Sequence, residues 1–251
     1  MADPRPIGIF DSGIGGLTVL RAVAGRLPAE RLVYLGDTAR VPYGTKSAGT
    51  VSRYTRQCAR FLLSRDVKAL VVACNTASAL AMDALRGELP VAGMPVLGVI
   101  EPGAVEACRV STGGRVGVIG TASTIRSGAY ARAIKAIRPD FTVTGVACPL
   151  FVPLAEEGWI DPNDDVAHAV AARYLGSLVR ERIDTLILGC THYPLLRGVI
   201  ERALGEAAAG IALVDSGAAV AHDLARLLAA RGMQAAGAPA PGGASGTAFA
   251  G

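Results

Sequence analysis

Short apolar runs alternate with amphipathic stretches along most of the chain. Several of the apolar runs are continuous rather than alternating, which is typical of parallel strands covered on both faces. Amphipathic stretches with helical spacing lie between most of them. This alternation of strands and helices predicts an α/β fold with mostly parallel sheets flanked by helices.

The apolar runs predict strands at Ile7–Phe10, Leu32–Leu35, Ala69–Ala73, Val96–Ile100, Val116–Ile119, Phe141–Val146, Thr185–Leu188 and Ile211–Val214. The amphipathic stretches predict helices at Leu17–Arg26, Ser47–Ser64, Ser78–Arg86, Ser123–Arg138, Asp164–Glu181, Leu195–Leu204 and Ala218–Arg231.

Two segments of the chain are echoed later in the sequence. Residues 8–13 (GIFDSG) resemble residues 117–123 (GVIGTAS), and residues 70–76 (LVVACNT) resemble residues 186–192 (LILGCTH). The echoes predict two similar α/β domains that meet across a cleft holding the active site; chance similarity of short strand ends is the alternative. We expect residues 1–98 plus 212–234 to form the first domain and residues 99–211 the second. Residues 235–251, of which 14 are Ala, Gly or Pro, predict a flexible tail.

Composition narrows the function classes. With 251 residues, 51% of them hydrophobic and 18% charged, the chain can build a substantial core and is not a disordered polymer. The net charge is only +4, no long basic run occurs and aromatic residues make up 5%, so nucleic-acid binding is not expected. No apolar stretch suits a membrane span and the first residues lack a signal-peptide core, which predicts a cytoplasmic protein without membrane contact.

Cysteine usage points to free thiols. The five Cys residues are an odd number and form no CxxC pair, so neither a disulfide framework nor a structural zinc site is expected. Cys74 and Cys190 each stand where a strand gives way to a helix, and a helix N-terminus can lower a thiol pKa enough to populate thiolate. Cys58, Cys108 and Cys148 are interpreted as packing residues.

Polar residues follow the predicted strands, and ligands of parallel sheets bind outside the carboxyl ends of the strands. These residues are Asp11-Ser12-Gly13, Asp37-Thr38, Cys74-Asn75-Thr76, Thr121, Cys190-Thr191-His192 and Asp215-Ser216-Gly217. Helices follow them, and the free N–H groups of a helix N-terminus suit a carboxylate or phosphate ligand. The alternative for each Ser, Thr or Asp is a simple helix cap.

Two facing thiols can invert a stereocentre that carries an acidic C–H. One thiolate removes the proton and a thiol on the opposite face returns one, with no metal or organic cofactor, provided that neighbouring groups tune both thiols. Asp11 is a candidate neighbour of Cys74, and His192 of Cys190. The alternative for His192 is a helix cap or a polar core residue.

Four motifs together resemble those of bacterial glutamate racemases. They are residues 11–19 (DSGIGGLTV), 36–44 (GDTARVPYG), 74–77 (CNTA) and 189–196 (GCTHYPLL), in matching order and spacing. The resemblance covers about residues 6–231, and residues 235–251 fall outside it.

The resemblance implies a cofactor-independent, two-base racemase that interconverts L- and D-glutamate and supplies D-glutamate for peptidoglycan. It assigns Cys74 to the D enantiomer, assisted by Asp11, and Cys190 to the L enantiomer, assisted by His192. A further acidic helper is Glu156 or its neighbour Glu157. The family also implies a homodimer, and for some members an action on DNA gyrase.

The resemblance also implies a set of residues that hold the substrate. They are Asp11, Ser12, Tyr43, Gly44, Asn75, Thr76, Thr121, Thr191 and His192.

Three alternative functions stand beside this one. Aspartate racemases resemble the chain at the first Cys-Asn-Thr but commonly carry Glu rather than His after the second Cys-Thr, so His192 favours glutamate. A decarboxylase of the same superfamily keeps only one of the two thiols. A non-catalytic, acidic-ligand-binding regulator could keep the cleft, although Cys74, Cys190, Asp11 and His192 are all present.

Overall fold

Two four-stranded parallel sheets form the frame of the molecule. The computed structural model describes residues 2–88 and 93–237, so most of the predicted tail, residues 238–251, lies outside the described residues. The first sheet has the order β2-β1-β3-β4 and the second has the order β6-β5-β7-β8. The strands are β1 Ile7–Asp11, β2 Leu32–Gly36, β3 Ala69–Val72, β4 Val96–Gly98, β5 Arg115–Gly120, β6 Thr142–Ala147, β7 Thr185–Gly189 and β8 Ala212–Asp215.

Helices flank the sheets, which confirms the predicted fold class. They are α1 Leu17–Arg26, α2 Ala48–Leu63, α3 Asn75–Glu88, α4 Ile100–Val110, α5 Ala122–Ser127, α6 Ala129–Ile137, α7 Phe151–Glu156, α8 Asp165–Arg180, α9 Arg197–Leu204 and α10 Ser216–Ala230.

The helix predicted at Ser123–Arg138 is two helices. Gly128 adopts a left-handed conformation (φ 64°) between α5 and α6, which ends the first helix and begins the second. The predicted strand at Val96–Ile100 is shorter, because Ile100 already begins α4. Helices α4 and α7 were not among the predicted helices; α7, at six residues, is too short to show a helical period.

The two sheets are built alike. β1 and β5 hold the second position of their sheets, and β3 and β7 hold the third. The echoed segments 8–13 and 117–123 therefore lie on equivalent strands, as do segments 70–76 and 186–192. The structure thus confirms two similar α/β halves.

Continuous apolar runs arise because each central strand is covered on both faces. In β3, Val71 packs into a cluster with α1 and α10, whereas its neighbours Leu70 and Val72 pack into a cluster with α2 and α3. Alternate side chains of a strand point to opposite faces, so a strand buried on both sides needs apolar residues at every position.

The C-terminal part of the described chain is shared between the halves. β8 pairs with β7 in the second sheet, whereas α10 packs against α1 on the first. The predicted division placed all of residues 212–234 in the first domain; β8 differs from that division because it extends the second sheet. Asp215 accepts the N–H of Gly217 and caps α10 where the chain crosses over. Within residues 2–88 and 93–237, no helix is both long and apolar enough to cross a membrane.

Candidate active site

A cleft lies where the carboxyl ends of the two sheets face each other. It is lined by Ser12, Val41, Pro42, Tyr43, Gly44, Cys74, Asn75, Thr76, Thr121, Val152, Cys190, Thr191 and His192. The structure therefore brings together, from both halves, most of the residues that the resemblance assigns to catalysis and substrate binding, whereas the strand-end residues Asp37, Thr38, Asp215 and Ser216 are not part of the lining. Of the other assigned residues, Asp11 lies buried at the end of β1, and Glu156 reaches the site through His192.

The first thiol stands directly after β3. Cys74 is 5% exposed, its Sγ lies 3.4 Å from the Ser12 hydroxyl, and the N–H of Ala77 points at it from 3.5 Å. Burial, assisted by the nearby charge of Asp11, raises the pKa of Cys74 to about 11. The expected lowering by the helix N-terminus is wrong in the free protein, because the loss of solvent outweighs the hydrogen bonds that favour thiolate.

The second thiol occupies the equivalent place after β7. Cys190 is 6% exposed, and its Sγ lies 3.8 Å from Nδ1 of His192. Burial also raises the pKa of Cys190 well above its ordinary value. Burial therefore favours the protonated form of both thiols.

His192 connects the second thiol to a carboxylate. Its Nε2 lies 3.0 Å from Oε1 of Glu156, at the end of α7. A carboxylate accepts a hydrogen bond from Nε2–H and leaves Nδ1 as an acceptor that faces the thiol. Of the two acidic candidates left open by the sequence, Glu156 is the one that contacts His192.

Asp11 supports the loop beside the first thiol. Its Oδ2 accepts the N–H groups of Gly13 and Gly16, each at 3.0 Å, whereas Oδ1 is buried without a hydrogen-bond partner. Burial raises the pKa of Asp11 above its ordinary value. A side chain at position 16 is excluded, because a Cβ on Gly16 would collide with Cβ of Asp11.

Three threonine hydroxyls meet across the cleft. Thr76 of the first half lies 2.9 Å from Thr121 and 3.2 Å from Thr124 of the second half, measured between Oγ1 atoms. Thr121 also caps α5 by accepting the N–H of Thr124. The sequence pointed to Thr76 and Thr121 but missed Thr124, which enters the cluster because α5 begins directly after Thr121.

The loop before α2 closes another side of the cleft. The hydroxyl of Tyr43 donates to Asp37, whose carboxylate also pairs with Arg40 at 2.7 Å. The carbonyl oxygen of Gly44 accepts a hydrogen bond from Ser123 of the second half at 2.7 Å. Val41, Pro42 and Val152, which the sequence did not single out, add an apolar wall. Apolar residues occur both in cleft walls and in the core, so the sequence alone does not show that these three residues line the cleft.

The two facing α/β halves each contribute a buried thiol to one cleft. The profile of the Asp/Glu/hydantoin racemase family matches residues 17–224. A glutamate racemase from Geobacter metallireducens is 58% identical over 224 residues, which cover 89% of this chain and 80% of that protein. The chain therefore belongs to the Asp/Glu/hydantoin racemase family, on its glutamate racemase branch, and is an amino-acid racemase.

Solved structures agree with this placement. Glutamate racemase isoform RacE1 from Bacillus anthracis superimposes with a TM-score of 0.85 at 40% identity, covering 92% of this chain and 84% of that one. A glutamate racemase from Francisella tularensis, solved in complex with D-glutamate, gives a TM-score of 0.83 at 40% identity, covering 92% of this chain and 83% of that one.

Proposed function

We propose that the protein interconverts L- and D-glutamate by two-base chemistry, with Cys74 and Cys190 on opposite faces of the substrate. The observation that carries the proposal is the presence of one buried thiol at the equivalent strand end of each half, both lining the same cleft. The relatives named above are glutamate racemases, and one of them was solved with D-glutamate bound. These names support glutamate as the substrate.

Each direction of the reaction moves two protons. One thiolate removes the α-proton, and the electron pair of the broken C–H bond spreads onto the α-carboxylate. The thiol on the opposite face then protonates the α-carbon and becomes the thiolate. Cys74 acts as the base for the D enantiomer and Cys190 for the L enantiomer, so the two roles exchange with direction and no other group is consumed.

The neighbours of each thiol differ in kind. Asp11 lies buried beside the first, whereas His192 and Glu156 lie beside the second. Asp11 at the first thiol, and His192 with Glu156 at the second, accept the proton that the thiol releases. This help is needed because burial of both thiols, and the charge of Asp11 beside Cys74, oppose thiolate. Ser12, Tyr43, Gly44, Asn75, Thr76, Thr121 and Thr191 hold the carboxylates and ammonium of the substrate.

Four wider assignments accompany the chemistry; the cytoplasmic location follows from the sequence pattern, and the other three rest on family resemblance. D-glutamate made here feeds peptidoglycan synthesis, the protein works in the cytoplasm, and it assembles as a homodimer. A DNA gyrase interaction is the fourth. Chemical cross-linking and sedimentation of the purified protein test the dimer directly.

Isotope exchange tests the reaction itself. L-glutamate incubated with the protein in D₂O should gain α-deuterium and appear as both enantiomers, which chiral chromatography with mass spectrometry resolves. L-aspartate, run in parallel, should be converted far more slowly. Protein that binds glutamate without exchanging its α-proton would falsify the proposal, and faster conversion of aspartate would reassign the substrate.

A further inference from the structure

Asn75 is held by both hydrogens of its side-chain amide, one bonded to the second half of the molecule and the other to the start of α10. Nδ2 donates to the hydroxyl of Tyr130 at 2.8 Å and to the hydroxyl of Ser216 at 3.2 Å. Asn75 begins α3 directly after Cys74, whereas Tyr130 belongs to α6 and Ser216 begins α10. These contacts therefore join the neighbour of the first thiol to two elements outside its own sheet.

The hydrogen-bond pattern determines which way the amide faces. Ser216 has one hydroxyl hydrogen, and it goes to the carbonyl oxygen of Leu188 at 3.2 Å. Towards Asn75, Ser216 can therefore act only as an acceptor, so the atom that faces it must be the NH₂ group. Both N–H groups of the amide are thus used, and its oxygen points elsewhere.

The oxygen of that amide is left without a partner. Asn75 is 2% exposed and lines the cleft, and its Oδ1 is buried with no hydrogen bond. A buried acceptor without a donor is costly unless a ligand supplies one. In glutamate, the α-ammonium is the group that carries hydrogen-bond donors, whereas both carboxylates only accept hydrogen bonds.

Tyr130 is held rigidly in its own place. It is 3% exposed, and its ring is flanked by two glycines: a Cβ on Gly103 would stand 3.2 Å from Cε1, and a Cβ on Gly189 would stand 3.1 Å from Cε2. Gly189 immediately precedes Cys190. The hydroxyl that fixes the amide beside the first thiol is thus positioned by the strand end that carries the second.

From this geometry we propose that Tyr130 and Ser216 are positioning residues that lock the amide of Asn75 so that its oxygen, not its NH₂ group, is presented to the substrate ammonium. The inference rests on the proposed function, in that the cleft takes an amino acid. Without the two hydroxyls, turning the oxygen to the cleft would bury two N–H groups with no acceptor. Tyr130→Phe with Ser216→Ala should therefore weaken recognition of the ammonium alone.

The experiment compares two ligands that differ only in that group. D-glutamate carries the ammonium and glutarate has a hydrogen in its place, and the binding of each is measured by calorimetry at neutral pH. In the double variant, D-glutamate should bind about tenfold more weakly and glutarate within twofold of the wild type. Each single variant should show the same selective loss to a smaller degree, and the single variants carry the test if the double variant does not fold.

Tyr174→Phe is the matched control. Its hydroxyl lies away from Asn75, where it accepts only the N–H of Leu150 at 3.4 Å among the described residues, and both ligands should bind as in the wild type. Equal weakening of D-glutamate and glutarate in the double variant would show a merely structural role and overturn the inference, as would no weakening of either. Wild-type protein that binds glutamate but does not racemise it would overturn the proposed reaction and leave this binding comparison standing; wild-type protein that binds no glutamate would overturn both.

Discussion

Glu156 and His192 form a hydrogen-bonded pair between α7 and the loop after β7, with Oε1 3.0 Å from Nε2. The other ring nitrogen of His192 faces the Cys190 thiol at 3.8 Å. Among the residues that the structure describes, this series of carboxylate, imidazole and thiol has no counterpart at Cys74, where Ser12 and the buried Asp11 are polar neighbours. Two halves of similar fold thus place different acid–base residues beside their thiols, which suits a cleft that must distinguish the two faces of one substrate.

Glu156→Gln should lower kcat/KM about tenfold. The neutral amide can still accept from Nε2–H but no longer stabilises a protonated imidazole, and the partial exposure of the pair moderates the loss. Glu157→Gln, one residue along and exposed, is the control and should change kcat/KM by less than twofold.

The Glu156→Gln substitution should lower kcat/KM by the same factor for L-glutamate and for D-glutamate. Enantiomers have the same free energy in water, so the equilibrium constant is one and kcat/KM must match for L- and D-glutamate. Polarimetry from each enantiomer checks this equality. A Glu157 variant that loses more activity than the Glu156 variant would reverse the assignment of the acidic helper.

Removing either thiol should abolish racemisation. Cys74→Ala and Cys190→Ala each delete one of two required proton-transfer groups, so turnover should fall by at least about 10²–10⁴-fold. Cys108→Ala is the control, since Cys108 lies on α4 outside the cleft lining and should be replaceable within twofold. Circular dichroism confirms that all three variants fold.

The two single thiol variants should also differ in the enantiomer whose α-proton they exchange. In D₂O, the Cys74 variant should exchange the α-proton of L-glutamate only, and the Cys190 variant that of D-glutamate only. Proton NMR of the α-position follows the exchange. Racemisation at the wild-type rate by either variant would refute the two-thiol assignment.

The pH dependence of kcat/KM should reflect buried thiols. Burial raises the pKa of Cys74 to about 11. At pH values below that pKa, each increase of one pH unit raises the thiolate fraction of the free enzyme roughly tenfold. We expect kcat/KM to climb between about pH 6 and 8.5 without a plateau. A plateau near neutral pH would instead indicate a thiol pKa lowered by the start of α3.

The sequence predicted the strand-end residues well because local pattern determines them. An apolar run followed by Cys74 or Cys190 places the thiol at the carboxyl end of a parallel strand, wherever that strand finally lies. Thiol pKa values were not predictable in this way. They depend on how completely the second half covers the first, and that burial exceeds the local helix effect at Cys74.

Contacts between segments that are distant in the chain could also not be predicted from the sequence. The pattern around Ile211–Val214 showed a strand but not that it would extend the second sheet beside β7. Likewise, Tyr130 reads as an apolar helix position, and its contact with Asn75 appears only when the two halves are brought together. Such residues serve the cleft through tertiary contacts, which leave no local signature.

The buried ion pair of Lys68 and Glu30 should contribute strongly to the free energy of unfolding; it lies at the end of the first sheet opposite the cleft. Lys68 is fully buried, and its Nζ lies 2.5 Å from Glu30 and donates to the carbonyl oxygens of Asp3 and Met233. Lys68→Met leaves the buried carboxylate of Glu30 uncompensated and should lower the free energy of unfolding by about 3–5 kcal/mol. Urea denaturation measures the loss.

Lys135→Met provides the comparison for that variant. Lys135 is exposed and donates to the carbonyl oxygen of Pro139, so its loss should cost less than about 0.5 kcal/mol. Replacing Glu30 by Leu in the Lys68→Met background should recover much of the stability, because no charge is then left buried. Equal stability of the two lysine variants would show that the buried pair contributes nothing net.

Gly15→Ala should impair catalysis without unfolding the protein. A Cβ on Gly15 would stand 2.5 Å from Cε1 and 2.6 Å from Nδ1 of His192, and 2.6 Å from the Thr191 hydroxyl, so the imidazole must shift from its place beside Cys190. A displacement of this size at a catalytic group can cost about 100-fold in kcat. Gly25→Ala is the matched control: nothing lies within 4 Å of its Cβ, and replacing glycine inside α1 should stabilise the helix by about 0.5–1 kcal/mol. Steady-state kinetics beside thermal unfolding separates the two effects, and a Gly15 variant that keeps wild-type kcat would show that His192 needs no fixed position.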